Sequence, residues 1–169
     1  SSTMIIRLAT LNLEQDHKCS ERRRELIAAQ LGDLNPDFWG LNEIHVASRA
    51  GRWLQKAAIE STETIYSLVQ QSKVGEDSST QAEGLLTRFP VIETGNLDYQ
   101  SNNCVALVAR FKIEQSLVDV YVTHLIAAHV PESARQHQVT RLLDWIQKRN
   151  DADHSIELPC PPTTSTCSI

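Results

Sequence analysis

Three polar side chains, Asn12, Glu43 and His124, stand where apolar runs of the sequence end. Each run has the alternation or the β-forming content of a strand, and open α/β folds bind ligands at the carboxyl ends of their strands. A carboxylate with carboxamides suits a hard cation such as Mg²⁺, which takes oxygen ligands and keeps waters for a substrate phosphate. A neighbouring histidine can donate to a phosphoryl oxygen or transfer a proton. The three residues are therefore a candidate metal and phosphate site.

Glu43 is the most informative of the three because its strand is otherwise apolar. Residues 37–45 follow the turn signal Asn35-Pro36. Strand alternation predicts that Glu43 shares a face with Trp39 and Leu41. An ionised acid in an apolar setting costs several kcal/mol unless a cation or strong donors compensate it. This stretch alone leaves two interpretations open, namely an ion pair or helix N-terminus at a strand end, and metal ligation.

The elements that carry these residues begin with a strand, helix, strand unit. Residues 4–13 are apolar on both faces and predict a central strand, and residues 20–31 predict a helix that stops at Gly32. The second strand, 37–45, should then pair in parallel with the first through a right-handed crossover. A second helix is predicted at 49–60.

The rest of the chain predicts further strands and one long helix. The polar stretch 72–81 predicts a loop. Other predicted strands are 64–70, 84–87, 91–93 and the hairpin arms 102–113 and 116–123, with a turn around Glu114-Gln115. The helix opens at Pro131 and Ser133, carries the apolar stripe Val139, Leu142, Leu143 and Ile146, and ends near Asn150-Asp151. Residues 154–158 then predict the start of another strand.

Composition indicates one ordinary globular domain, predicted at 1–158, followed by an irregular tail at 159–169. The chain has 169 residues, 41% hydrophobic and 22% charged, and shows no apolar run of membrane-spanning length. The expected compartment is the cytoplasm, with the four cysteines as free thiols. The net charge of -5 argues against a wide phosphate-gripping surface and leaves room for a local basic patch.

Five short motifs occur in an order that resembles the endonuclease/exonuclease/phosphatase superfamily, the deoxyribonuclease-like metal-dependent phosphoesterases. Each motif is weak alone, and their order over residues 4 to about 158 is what makes the resemblance specific. The motifs are Thr10-Leu11-Asn12, Leu41-Asn42-Glu43, the run from Glu83 to Pro90, Val122-Thr123-His124-Leu125, and Arg135 with Gln138.

The resemblance implies an α/β (α+β) fold, a four-layer sandwich of two mixed β-sheets flanked by helices, here incomplete. It implies hydrolysis of phosphoesters with Mg²⁺, or Mn²⁺, held by Asn12, Glu43 and, as a weaker transfer, Glu14. By the same resemblance His124 contacts the scissile phosphate, and Arg135 and Gln138 support the site. The substrate, a nucleic acid or a small phosphorylated molecule, and the number of metals stay open.

Two departures from the family pattern affect the expected activity. In the family the strand after the long helix finishes in Gly-Asp-Phe-Asn and a late Asp-His pair completes the site, and this sequence contains neither. Asp153-His154 comes too early and is predicted to be a loop dipeptide. We therefore expect a truncated, impaired member whose exposed sheet face could drive self-association. Asn42 also replaces the glutamine that most members carry.

Two other functions are open at this point. The scaffold could bind a partner without catalysis, or be a truncated product, in which case magnesium titration would show weak or absent binding. A zinc hydrolase using His124, His129 and His137 is the other alternative, but the spacing of the first two fits no zinc pattern.

Overall fold

Two β-sheets pack face to face, with helices on both outer sides. The computed structural model describes residues 3–16, 20–127 and 129–156. Its helices are α1 (Ser20–Leu34), α2 (Ala50–Thr62) and α3 (Glu132–Ile156). Its strands are β1 (Leu8–Asn12), β2 (Phe38–His45), β3 (Ser67–Ser72), β4 (Gln81–Thr87), β5 (Val91–Asp98), β6 (Val105–Ile113) and β7 (Ser116–Thr123). Short 3-10 turns lie at Glu14–Asp16 and Gly75–Ser79.

The strand order separates the two sheets. Sheet A runs β1-β2-β4-β3, with β1 and β2 parallel and the other pairs antiparallel. Sheet B runs β5-β6-β7 and is antiparallel throughout its described strands. The predicted parallel pairing of the first two strands is confirmed. The predicted hairpin with its turn after Ile113 is confirmed as well, since β6 and β7 pair up to Ile113 and Ser116.

Three apolar clusters hold the layers together. Trp39, Leu41 and Ile44 of sheet A pack with Leu31 of α1 and Leu54 of α2. Between the sheets lie Phe38 and Leu85 from sheet A with Leu107, Phe111 and Val122 from sheet B. On the far side Tyr99 and Ala106 pack with Leu142 and Trp145 of α3. The order is therefore helices, sheet A, sheet B, helix, which confirms the predicted sandwich.

The first strand is shorter than predicted and lies at an edge. β1 has five residues and pairs only with β2 among the described strands. Ile5 is 80% exposed and Leu8 70% exposed. Apolar residues on both faces indicated a central strand, but that pattern reports only which side chains need cover and does not show what covers them.

The long helix contradicts the prediction of a further strand. α3 continues through 150–151 to Ile156, so Asp153 lies on a helix and not in a loop. Asp153 accepts hydrogen bonds of 2.7 and 2.5 Å from Arg110 of β6, a tertiary contact that local sequence does not reveal. The predicted apolar stripe also fails in part, since Leu143 is 58% exposed. The remaining residues of that predicted strand, and the tail, lie outside the described residues.

Two predictions from composition can be compared with the described residues. None of the helices in this part of the chain combines the length and apolarity needed to cross a bilayer. Cys104 is a buried free thiol. The other three cysteines lie outside the described ranges.

Candidate active site

The ends of β1, β2 and β7 bring Asn12, Glu43 and His124 together. The Asn12 side-chain amide donates to Glu43 Oε1 at 3.0 Å, and His124 Nε2 lies 3.7 Å from the same oxygen. The parallel register pairs Asn12 with Asn42. Asn42 in turn donates to the Thr123 carbonyl at 2.9 Å, which ties β2 to the residue before His124. Three strand ends therefore place one carboxylate, one amide and one imidazole within contact distance.

A β-bulge aims Glu43 at this site. Glu43 has a positive φ of 54°, and the pairing of β2 with β4 shifts register between Leu41 and Ile44. Trp39, Leu41 and Ile44 all belong to the core cluster under the helices. The extra residue therefore takes Glu43 off the face of Trp39 and Leu41, where simple alternation predicted it. A left-handed conformation in a glutamate costs about 1 to 3 kcal/mol, and such strain is concentrated at functional sites.

Asn12 is engaged at both ends of its side chain. Its amide nitrogen donates to Glu43, and its Oδ1 accepts the backbone N–H of Glu14 at 2.8 Å. The oxygen that would face a metal is thus already hydrogen-bonded to the chain. Asn12 is well placed to orient Glu43 and the turn that carries Glu14, and the metal roles of Asn12 and Glu14 stay predictions.

Glu83 is a buried member of the site to which the sequence analysis gave no role. It is 0% exposed on β4, and its Oε1 lies 3.5 Å from His124 Nδ1 and 3.9 Å from Lys73 Nζ. Neither Glu83 oxygen, nor His124 Nδ1, has a hydrogen-bond partner among the described residues. The signal was available, because Glu83 is a lone carboxylate in an apolar strand, the argument applied to Glu43.

Gln138 connects α3 to the segment that follows His124. Its side chain is fully buried, its Oε1 accepts the Ile126 N–H at 2.8 Å, and its Nε2 donates to the Ser101 carbonyl at 3.1 Å. These bonds tie α3 to the segment beyond His124, and the bracing role of Gln138 stays a prediction. Arg135, one turn earlier on α3, is half-buried, and its supporting role stays a prediction.

A tyrosine holds the strand end beneath His124. The Tyr99 hydroxyl and Thr123 Oγ1 are 2.6 Å apart, and Tyr99 is fully buried. Burial raises the pKa of Tyr99, and the Thr123 hydrogen bond offsets this only in part. The phenol therefore stays protonated at neutral pH and fixes the residue that precedes His124.

The residues at this site fit a divalent cation that is held in an open position. The part of the chain that the structure describes contains no group of three or more His, Cys, Asp or Glu residues that could hold a metal ion by themselves. Mg²⁺ is usually bound by only one or two carboxylates plus waters and substrate phosphates. A partly exposed Glu43, oriented by an amide at a strand end, matches that donor set.

The histidines of the zinc alternative are not gathered. His124 contacts Glu43 and Glu83, while His137 lines a surface groove with Leu97 and Arg141. Neither this trio nor any other set of described residues meets the requirement of a zinc site, which takes at least three protein ligands.

Comparison with known proteins gives similarity at the level of structure. No family model matches the sequence, and no curated protein matches it either. A humanized D. rerio TDP2 with 14 mutations superposes with a TM-score of 0.70 at 17% identity, over 84% of this chain and 59% of that one. An endonuclease/exonuclease/phosphatase family protein from Leptotrichia buccalis gives 0.67 at 10%, over 83% and 61%. TDP2 from C. elegans gives 0.69 at 19%, over 85% and 42%.

These superpositions confirm the resemblance to the endonuclease/exonuclease/phosphatase superfamily in fold. The chain spans between 42% and 61% of the length of the three structures. At these identities the likeness concerns the fold, and the chemistry has to be argued from the site itself.

Proposed function

We propose that this chain is a divalent-metal-dependent hydrolase of phosphodiester bonds. The observation that carries the proposal is that three separate strand ends converge at Glu43 Oε1. The Asn12 side-chain nitrogen lies 3.0 Å from this oxygen and His124 Nε2 lies 3.7 Å from it. A carboxylate next to an imidazole at an open sheet edge is suited to holding a hard cation beside a phosphate.

The side chains have separable roles in this proposal. Glu43 holds the metal, Asn12 orients Glu43, and Glu14 is a second, weaker candidate ligand. His124 presents Nε2 to a phosphoryl oxygen while Glu83, 3.5 Å from Nδ1, positions the ring. When bound, the cation would act as a Lewis acid on the phosphoryl oxygens. Mg²⁺ is the expected ion, with Mn²⁺ as a substitute of the same oxygen preference.

The proposed substrate is a nucleic acid strand. One similar structure is D. rerio TDP2 complexed with a single-strand DNA product, at 17% identity and a TM-score of 0.69. That complex concerns the other protein, and it supports the choice of a phosphodiester over a phosphomonoester here. Small phosphorylated molecules are the rival substrates. The proposed compartment of the protein is the cytoplasm.

The activity of the 169 residues is proposed to be low. The sequence contains no Gly-Asp-Phe-Asn and no late Asp-His pair to supply the acid that activates water in the family. A positioned general acid or base typically contributes about 10² to 10⁴ in rate. Slow turnover that still depends on Glu43 is therefore the expected behaviour.

Hydrolysis of bis(4-nitrophenyl) phosphate tests the proposal. We expect slow turnover that requires Mg²⁺ or Mn²⁺ and is lost in Glu43→Ala, while Glu60→Ala, an exposed glutamate on α2, keeps the wild-type rate. Metal-independent turnover, or equal rates in Glu43→Ala and the wild type, would contradict it. Absence of turnover together with absence of metal binding would favour the non-catalytic scaffold.

We propose self-association as well, through the edge of the sandwich in place of the exposed sheet face that the sequence predicted. β1 and β7 are edge strands, and a cavity of about 310 Å³ between the sheets is lined by Leu8, Phe38, Val120 and Val122. An unpaired apolar edge is a template for pairing with another chain. Sedimentation velocity should show a dimer that Leu8→Lys weakens, and a monomer at all concentrations would contradict this.

A further inference from the structure

A second cavity, whose lining includes neither Glu43 nor His124, gathers cationic side chains. It has a volume of about 290 Å³ and lies between the start of α2 and the strands β2 and β3. Its lining residues are His45, Val46, Arg49, Arg52, Leu68 and Gln70. None of these described lining residues is a carboxylate, although the chain as a whole carries a net charge of -5. Positive charge is therefore concentrated here against the average of the molecule.

The two arginines have charge available for a ligand. Both are exposed, and neither forms an ion pair with a carboxylate among residues 3–16, 20–127 and 129–156. Within the described residues the Arg52 side chain is hydrogen-bonded only to a neutral amide, Gln55 Oε1, at 3.2 Å. An arginine without a carboxylate partner keeps guanidinium donors available, and their planar arrangement matches the oxygens of a phosphate.

His45 and the N-terminus of α2 also lie at this cavity. His45 is half-buried, and its Nδ1 is buried without a hydrogen-bond partner among the described residues. α2 begins here, its N-cap residue Arg49 makes no side-chain cap, and its first turn contains no acidic residue. Placing arginines, and no acid, at the positive end of a helix is unfavourable unless an anion joins them.

The cavity shares an end of sheet A with the candidate active site. His45 follows Glu43 by two residues on β2, so their Cα atoms are at most about 7 Å apart. A nucleic acid strand carries a phosphate on every nucleotide, so a strand placed with one phosphate at His124 has others to offer to neighbouring cations.

We propose that the cavity of His45, Arg49 and Arg52 binds a phosphate of a single-stranded nucleic acid substrate, next to the phosphodiester held at Glu43 and His124. The proposal rests on the proposed function for the identity of the substrate. It assigns the arginines to binding and not to chemistry, and it makes affinity for a strand with several phosphates greater than affinity for a small diester.

The test measures binding without catalysis. A fluorescein-labelled oligothymidylate is titrated with the full chain in EDTA, and anisotropy is followed at several salt concentrations. Arg49→Gln/Arg52→Gln should weaken binding about tenfold at low salt and reduce the slope of log K against log salt by about 0.7, the amount expected for one lost phosphate contact on a single strand. The matched control is Arg22→Gln/Lys112→Gln, which removes the same charge from exposed positions elsewhere and should change neither by as much.

The outcomes separate this proposal from the proposed function. Loss of oligonucleotide affinity in the cavity variant, but not in the control variant, supports the cavity as a phosphate-binding site. This holds even if the wild type does not hydrolyse bis(4-nitrophenyl) phosphate and the proposed function is wrong. Equal losses in the two variants, an unchanged salt slope, or no binding of the oligonucleotide by the wild type would overturn it. The proposal would also be overturned if the cavity variant bound the oligonucleotide as tightly as the wild type but no longer bound vesicles of phosphatidylcholine and a phosphoinositide. Circular dichroism of both variants checks that they are folded.

Discussion

Two charged clusters lie on opposite sides of sheet B, and they differ in how completely their groups are paired. The α3 ion-pair cluster consists of Glu93, Arg110, Asp119, Arg149 and Asp153. In it Arg110 donates to both oxygens of Asp119 at 2.7 and 2.9 Å and to both oxygens of Asp153 at 2.7 and 2.5 Å. Arg149 bonds Asp119 and Glu93 at 3.3 and 3.0 Å. The site cluster, Glu43, Glu83, His124 and Lys73, is looser, with ion-pair distances of 3.5 to 3.9 Å.

The difference suits a structural role for the α3 ion-pair cluster and a functional role for the site cluster. Native proteins pair nearly all their buried polar groups, and the α3 ion-pair cluster follows that rule. The site cluster leaves both oxygens of the buried Glu83 and the Nδ1 of His124 without a hydrogen bond among the described residues. Unpaired buried groups are costly, and their presence next to Glu43 is consistent with the proposal that a ligand completes this site. Breaking the two clusters should therefore have opposite consequences.

Removing the imidazole should give the largest effect on activity and little effect on stability. We expect His124→Ala to lower the rate of phosphodiester hydrolysis by about 10² to 10⁴, the usual contribution of a positioned acid or base. Its free energy of unfolding should stay near that of the wild type, because His124 Nδ1 makes no hydrogen bond with the described residues. His129→Ala, at an exposed position nearby, serves as the control. A large loss of stability in His124→Ala would mean that the ring is structural.

Removing Arg110 should have a large effect on stability and little effect on activity. Arg110→Met leaves Asp119 and Asp153 without their shared partner, and breaking a buried ion pair costs about 3 to 5 kcal/mol. Since Asp153 is partly exposed, we expect the lower end, about 3 kcal/mol in urea unfolding. The rate per folded molecule should not change. A variant as stable as the wild type would show that α3 does not depend on this cluster.

Neutralising Glu83 sharpens the comparison. Glu83→Gln keeps the shape but leaves the buried Lys73, 3.9 Å away, without its carboxylate, so the free energy of unfolding should fall by about 1 kcal/mol, less than in Arg110→Met. The rate should fall about tenfold, because the His124 ring loses the carboxylate beside Nδ1. Full activity would remove Glu83 from the site. Unfolding at wild-type activity would place it with the structural ion pairs.

The smallest effect is on the pH dependence of stability. Burial by itself would raise the pKa of Asp119, but the hydrogen bonds and charge of Arg110, with Arg149, outweigh it and hold the pKa below 3.8. A depressed folded pKa gives stability that is present above the unfolded value and is lost as pH falls through the folded one. The wild type should thus lose stability below about pH 4, and Arg110→Met should lose less over the same range. Parallel urea curves for both proteins would contradict this.

The fold could be predicted from the sequence because its strands and helices have regular patterns of apolar residues. The alternation of β7 and the turn after Ile113 predicted the hairpin, and the turn Asn35-Pro36 predicted the parallel unit that pairs Asn12 with Asn42. Since parallel strands end at the same edge, the meeting of Asn12 and Glu43 could be anticipated from strand ends alone.

What the sequence could not show depends on contacts between distant residues. The bulge that turns Glu43 from the Trp39 face has no glycine at its left-handed position to mark it in the sequence. The last turns of α3 are held by Arg110, more than forty positions away, against the local signal for a stop at Asn150. Glu83 stands out in the sequence as a lone acid in an apolar strand, but its contact with His124 does not, because register and packing together determine that 3.5 Å distance.

The central claim is that Glu43, oriented by Asn12, holds a divalent ion beside His124. Titration of the protein with Mn²⁺, followed by water-proton relaxation, tests it without any dependence on turnover. The account predicts saturable binding in the wild type, and in the exposed control Glu60→Gln, that is lost in Glu43→Gln. Mn²⁺ binding of equal strength in Glu43→Gln and the wild type would contradict it.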